Sequence, residues 1–391
     1  MEKLMLFSII LAALILATIT LEASPAAAES RLARHNRSHF LALTDFANFA
    51  PTAGERPGEI VLTSPELEAP LAWNELVVSW NAEMPSGTYL KIEARAMREN
   101  GAPKYYTLGL WSPDPALHPR ESVLNQQDDN GTVLTDTLVL QQHVRRVQLR
   151  LTLGGPGEQT LPRLKLIGLS FLDSQTQCTP LEPNRAAWGK IIPVPERSQV
   201  GYEGGRGWCS PASVSMALAY WAKVLNRPEL DWDVPQVASS VYDKNWPGTG
   251  NWPFNTAFAG SLPGLRAYVT RLDDVSELED WIAAGVPVIL SVAYDTRQGR
   301  PVAKGSGHVL VCVGFTAQGD VVVNDPWAHR ERGQTVRKTF SRQSVIAGWS
   351  HSRNTVYLIY PETAKLPRGR FGHWEAAPDE RNRLTLTGRP Q

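Results

Sequence analysis

The chain has 391 residues, enough for two domains, and its 39 basic residues are balanced by 39 acidic ones. That balance leaves no electrostatic footprint for nucleic acid or an anionic membrane surface. Three cysteines, Cys178, Cys209 and Cys312, exclude a dense disulfide framework and leave at least one thiol unpaired within the chain.

Residues 1–28 read as a signal peptide. Lys3 gives a short positive start, Leu4 to Leu21 is apolar, and Ala26-Ala27-Ala28 offers a small-residue cleavage site before Glu29. The same run is long enough to remain as a membrane anchor, and no other stretch could span a bilayer. The expectation is a secreted or extracytoplasmic protein, at the cell surface or in the periplasm, free of the membrane once the signal is cleaved. Residues 29–58 are polar and read as an irregular lead-in.

Residues 59–172 carry β patterns separated by turn clusters. Leu76–Trp80, Tyr89–Ala96, Tyr105–Trp111, Thr137–Leu140, Val147–Leu153 and Leu164–Phe171 are the predicted strands. With almost no helical period, they predict an all-β sandwich accessory domain. Asp128-Asp129-Asn130-Gly131 lacks the spaced ligands of a calcium loop and reads as a turn. Residues 173–189 hold Cys178, Pro180 and Pro183 and read as a linker.

Residues 190–362 carry the chemistry. A glycine-rich stretch leads to Trp208-Cys209-Ser210-Pro211, followed by a largely apolar helix ending near Trp221. Ser210 suits the N-cap and Pro211 the first helical position. Cys209 is thereby set at a helix N-terminus, where unpaired N–H groups favour a thiolate. An aromatic loop with Trp246, Trp252 and Phe254 either lines a substrate cleft together with Trp208 or packs over the core. A second helix is expected over Val275–Ile282, and strands over 286–294, 308–315, 320–325 and 354–360. The turn Thr316–Gly319 lies midway between His308 and Asp325, so an antiparallel hairpin would set the two nearly opposite. A carboxylate beside an imidazole orients it and raises its basicity, as an activated nucleophile requires. Cys312, between two valines, reads as core. Cys209, His308, Asp325 and His329 lack a recognised short ligand spacing for zinc, so no metal and no cofactor is expected. Residues 363–391 are polar and Arg/Pro-rich and read as a tail.

The pattern Gln199, Cys209-Ser210-Pro211-Ala212, Gly307-His308 and Asn324-Asp325-Pro326 resembles the bacteriocin-processing, double-glycine type of papain-like cysteine peptidase. The resemblance covers roughly residues 190–362. It implies an α+β fold in which the Cys helix packs on an antiparallel sheet bearing His and Asp. It further implies a Cys209–His308–Asp325 triad, with Gln199 and the Cys209 N–H holding the oxyanion. The expected partner is a peptide or protein substrate. The rival reading is a non-catalytic or side-chain-amide-acting protein on the same fold, with the sandwich binding a cell-wall or surface polysaccharide.

Overall fold

The computed structural model describes residues 36–98, 104–157 and 160–370. The expected signal peptide and the tail beyond residue 370 lie outside them.

The N-terminal half is built from β1 (Ser38–Leu43), β2 (Ala50–Ala53), β3 (Ile60–Thr63), β4 (Leu67–Glu83), β5 (Tyr89–Met97), β6 (Tyr106–Trp111), β7 (Gly131–Leu134), β8 (Thr137–Gly154) and β9 (Arg163–Leu172). All pairings are antiparallel. The order is β1-β9-β4-β8-β3-β2, with β5 and β7 also on β8 and β6 on β5. Two strands expected to be separate, 137–140 and 147–153, are one 18-residue strand, β8. Its polar middle, Gln141 to Arg146, stays extended with an exposed face instead of turning. The expected irregular lead-in is also corrected. Phe40, Leu41, Ala42 and Leu43 are all buried, and residues 38–43 pair with β9 as an ordered strand, while residues 50–53 form β2.

The C-terminal half joins β10 (Leu265–Arg271), β11 (Val288–Asp295), β12 (Arg300–Pro301), β13 (Ser306–Phe315), β14 (Val321–Asn324), β15 (Arg337–Phe340) and β16 (Thr355–Pro361). The order is β10-β16-β11-β13-β14-β15, with β12 on β11. Five helices accompany the sheet: α1 (Cys209–Leu225), α2 (Val234–Val241), α3 (Trp252–Ser261), α4 (Val275–Ala283) and α5 (Arg342–Trp349). The α+β class therefore stands. Helix α1 is fastened to the sheet by Trp221 Nε1 donating to Ile359 O (2.7 Å) and Ser213 Oγ to Val309 O (3.3 Å).

The two halves share one continuous hydrophobic core. Strand β10 is an edge strand, and its outward backbone groups are covered by side chains of β4. Asn81 Nδ2 donates to Ala267 O (2.6 Å), Ala267 N donates to Asn81 Oδ1 (3.0 Å), and Val269 N donates to Ser79 Oγ (3.0 Å). Unpaired edge groups buried without such partners would each cost about 1–3 kcal/mol. The approach is close: a Cβ on Gly260 of α3 would sit 2.0 Å from Asn81 Nδ2, so only glycine fits there. Phe40 stacks on Tyr268 (4.1 Å between centroids), and Phe254 packs on Trp80 (6.1 Å) and Trp111 (5.3 Å). Burial of each such ring contributes about 1.5–3 kcal/mol.

The segments expected to be linker and frayed tail are tied to α4. Trp188 Nε1 donates to Glu279 Oε1 (2.7 Å), and Asn184 Nδ2 to Asp280 Oδ1 (2.8 Å). Arg370 forms a two-point pair with Asp280 (2.7 and 3.0 Å).

A shared core predicts a single unfolding transition for the whole chain. Asn81→Ala should lower stability by about 1–3 kcal/mol by orphaning the Ala267 N–H and C=O. Denaturant titration followed by tryptophan fluorescence and circular dichroism checks both. Two resolved transitions, with the later one untouched by the substitution, would show two independent cores.

Candidate active site

Helix α1 begins two residues earlier than its sequence suggests. Trp208, not Ser210, is the N-cap, and Cys209 is the first helical residue. Ser210 is fully buried, and its hydroxyl is shared with Tyr357 OH at 2.9 Å, so it is not available to cap. Pro211 still falls in the first turn, where a missing N–H costs nothing. His308 and the backbone N–H groups of Val309 and Ser210 favour the charged form of the Cys209 sulfur.

His308 is the third residue of β13, opposite Val292 of β11. Its Nε2 meets Asp325 Oδ1 at 2.8 Å, which leaves Nδ1 for the thiol. The expected hairpin pairing is off by two positions. Val311 pairs with Asn324, and a bulge follows at Val313, so Asp325 reaches His308 diagonally from just beyond β14. The bulge arises where the incoming chain takes over as partner: Ile192 N donates to Val313 O at 2.7 Å. Asp325 has no exposed surface. Besides His308, it accepts from Trp327 N (2.9 Å), Lys338 Nζ (2.7 Å) and Tyr294 OH. The Tyr294 ring lies 4.5 Å from the His308 ring.

The electrostatics follow from these contacts. Burial opposes charge on all three groups. For Asp325 it is outweighed by the hydrogen bond and charge of His308, then by Lys338, and the carboxyl is held well below the usual carboxylate range. For His308 burial is outweighed by Asp325 and Cys209, and its pKa rises to about 9. For Cys209 burial is outweighed by His308 and the two N–H groups, and the thiol falls below its ordinary value. The pair is therefore arranged as thiolate and imidazolium. The other two thiols have the opposite setting. Burial pushes both Cys312 and Cys178 up to about 12, and Asp273 adds to the effect at Cys178.

Gln199 does not point its amide N–H groups at this site. Nε2 donates to Gly205 O (2.8 Å) and Arg206 O (2.9 Å), while Oε1 accepts nothing among the described residues. The side chain clamps the glycine-rich loop. A Cβ on Gly205 would meet Gln199 O at 2.1 Å, so the loop passes there only as glycine. The oxyanion role expected of Gln199 is thus not the one its contacts serve in this structure.

The four aromatic residues expected at the cleft divide. Trp208 lines a groove of about 500 Å³ beside the Cys209 helix with Tyr242, Pro247 and Thr249. Trp246, 42% exposed, lies over Gly248 and Gly250 at its margin. Phe254 is fully buried against Trp80 and Trp111 and belongs to the domain interface, not the cleft. Trp252 opens α3, its N–H donating to Asp136 Oδ2 at 2.9 Å, and is half-buried in that same interface. His329 is engaged with Glu331 at 2.8 Å, and among the described residues no three His, Cys, Asp or Glu gather as metal ligands.

A cysteine at a helix N-terminus, laid on an antiparallel sheet that carries His and Asp, defines a papain-like cysteine-peptidase fold. Residues 191–357 match the Peptidase_C39 like family, and residues 58–171 match the Peptidase C39 N-terminal domain. Together the matches cover more than two thirds of the chain, which belongs to the C39 papain-like cysteine peptidase family. The family supports a cysteine-peptidase type of function. No curated protein matches the chain. Among solved structures, a family two carbohydrate esterase from Cellvibrio japonicus is 12% identical over 48% of this chain and 50% of its own, with a TM-score of 0.17. At that score the likeness carries no argument.

The protonation pattern gives a prediction with a definite sign. Between about pH 6.5 and 8.5 the unfolded chain carries a proton on Cys209 and none on His308. Folding raises His308 to about 9 and lowers Cys209, so it favours a proton on the imidazole and the loss of one from the thiol. The two shifts give pH slopes of opposite sign, which offset each other in that window. Cys209→Ala leaves His308 with Asp325 alone, which still raises it though by less, so the stability of the variant should fall as pH rises from about 6.5. Urea titrations of both proteins at several pH values test this. A flat profile for Cys209→Ala would show that Asp325 alone does not hold His308 raised.

Proposed function

We propose that this chain is a thiol peptidase that cleaves peptide bonds with Cys209 as nucleophile, His308 as general base and acid, and Asp325 as the group that orients His308. The observation that carries the reading is the placement of Cys209 at the start of α1 beside His308, whose Nε2 meets Asp325 Oδ1 at 2.8 Å. The Cys209 thiolate attacks the scissile carbonyl carbon. His308 gives its proton to the leaving amine as the C–N bond breaks, leaving a thioester. His308 then takes a proton from water, the hydroxide attacks the thioester, and the carboxylic product leaves with Cys209 and His308 restored. The oxyanion falls to the N–H of Cys209 at the first helical position. Gln199 would join it only by releasing the Gly205 and Arg206 carbonyls.

The same proposal places the protein outside the cytoplasm, on the strength of the Leu4–Leu21 run and the small residues after it. Among the described residues no helix is long and apolar enough to cross a membrane. A polysaccharide partner for the N-terminal sheet is the weaker part of the reading, since the contacts traced for that sheet serve the peptidase half.

Iodoacetamide at about pH 6, with mass mapping, should label Cys209 far faster than Cys178 or Cys312, and His308→Ala should slow it. Cys209→Ala should lower hydrolysis of an unfolded protein substrate such as reduced casein by about 10⁴-fold or more. Equal labelling of all three cysteines, or undiminished hydrolysis by Cys209→Ala, would refute the assignment.

A further inference from the structure

The glycine-rich loop between Gln199 and Cys209 separates two grooves of different character. On one side lies the groove of Trp208, Tyr242 and Pro247. On the other lies a cavity of about 710 Å³ lined by Arg206, Arg297, Arg332, His329 and Lys338, with no acidic side chain in its wall. Trp327 and Gln199 also line it, and Trp327 and Lys338 are the residues that hold Asp325. This groove therefore adjoins the residues that hold Asp325.

Three of its five basic groups are already answered. Lys338 pairs with Asp325, and His329 and Arg332 share Glu331 at 2.8 and 3.8 Å. Arg206 and Arg297 are exposed, and neither forms an ion pair among the described residues. Asp295 acts on Arg297 through space, and its carboxylate caps the turn by accepting from the Arg297 and Gln298 N–H groups. Both arginines stand on fixed backbone. The Arg206 carbonyl is held by Gln199 (2.9 Å), and the Arg297 N–H donates to Asp295 at 2.8 Å. Preset guanidinium groups on a concave wall favour carboxylates, because their planar donors match both oxygens.

We infer that this groove is a substrate subsite for acidic side chains, so that peptides with Asp or Glu beside the scissile bond are favoured. Arg206 and Arg297 recognise the carboxylates. The inference rests on the peptidase reading for its meaning, but the groove can be tested apart from catalysis.

Fluorescein-labelled tetraglutamate with an amidated C-terminus, so that only side-chain carboxylates are presented, is titrated with the full chain and followed by anisotropy. Tetralysine is the control. Tetraglutamate should bind and tetralysine should not, and raising salt from 0.1 to 0.5 M should weaken binding. The double variant Arg206→Gln/Arg297→Gln, changed only at exposed side chains, should weaken it by about tenfold. In parallel, unlabelled tetraglutamate should slow iodoacetamide labelling of Cys209 in the wild type and not in the variant. Equal binding of both peptides, or binding indifferent to the double substitution, overturns the subsite. Slow Cys209 labelling in the free protein would instead count against the peptidase reading, with the anisotropy still deciding the groove.

Discussion

The buried carboxylate of Asp325 is the constraint on which the active half depends. An ion with no exposed surface is tolerated only if its oxygens are fully engaged. Here the donors come from four places: His308 on β13, Tyr294 on β11, Lys338 on β15 and the Trp327 N–H in the following turn. Those contacts fix the register of three neighbouring strands around one point. They also set the charges in sequence, Lys338 positive, Asp325 negative, His308 positive and Cys209 negative. Asp325, His308 and Cys209 are each stabilised in the charged form by a neighbour in this row, against the opposing effect of burial. The short polar strand β15 has a reason to exist in these terms, since it delivers Lys338.

The N-terminal sheet is a structural part of the peptidase half, not an appendage. Helix α3, the core ring Phe254 and the edge strand β10 all meet β4 directly. Beyond these, Arg120 donates to Ser239 O (2.6 Å) and Tyr242 O (3.1 Å), and Ser122 N donates to Asp243 Oδ1 (3.0 Å). These bonds hold the segment that leads to Trp246, one wall of the groove beside Cys209.

Much of this was legible in the residues, and the failures have physical causes. The Cys209 helix, the His308 strand and the Asp325 turn announce themselves by local pattern. Their side chains meet as expected, but the register was missed because nothing in Cys312-Val313-Gly314 marks a bulge forced by a distant segment, residues 190–192. Helix α3 went unseen because it is buried on nearly every side and has no amphipathic period. Asn251 followed by Trp252-Pro253 was its signal, an N-cap and an early proline. Tyr294 and Lys338 could not be found from sequence. They serve the site only because strand order brings β11 and β15 to the two flanks of Asp325. Gln199 is expected to aim its amide at the oxyanion, whereas in this structure its Nε2 donates to a loop whose path depends on glycine, which no local pattern marks.

The covering of β10 has a bearing on how this protein can be cut and reused. An open strand edge is a template for adding another strand, and native chains guard such edges. Here the guard is Asn81 and Ser79, residues far upstream of the peptidase half they protect. A fragment beginning near residue 190 would keep its Cys, His and Asp yet bare the β10 edge and the apolar faces of Tyr268 and Phe254. Such a fragment should stick to itself edge to edge, so the catalytic half is not a portable module for grafting or for expression alone.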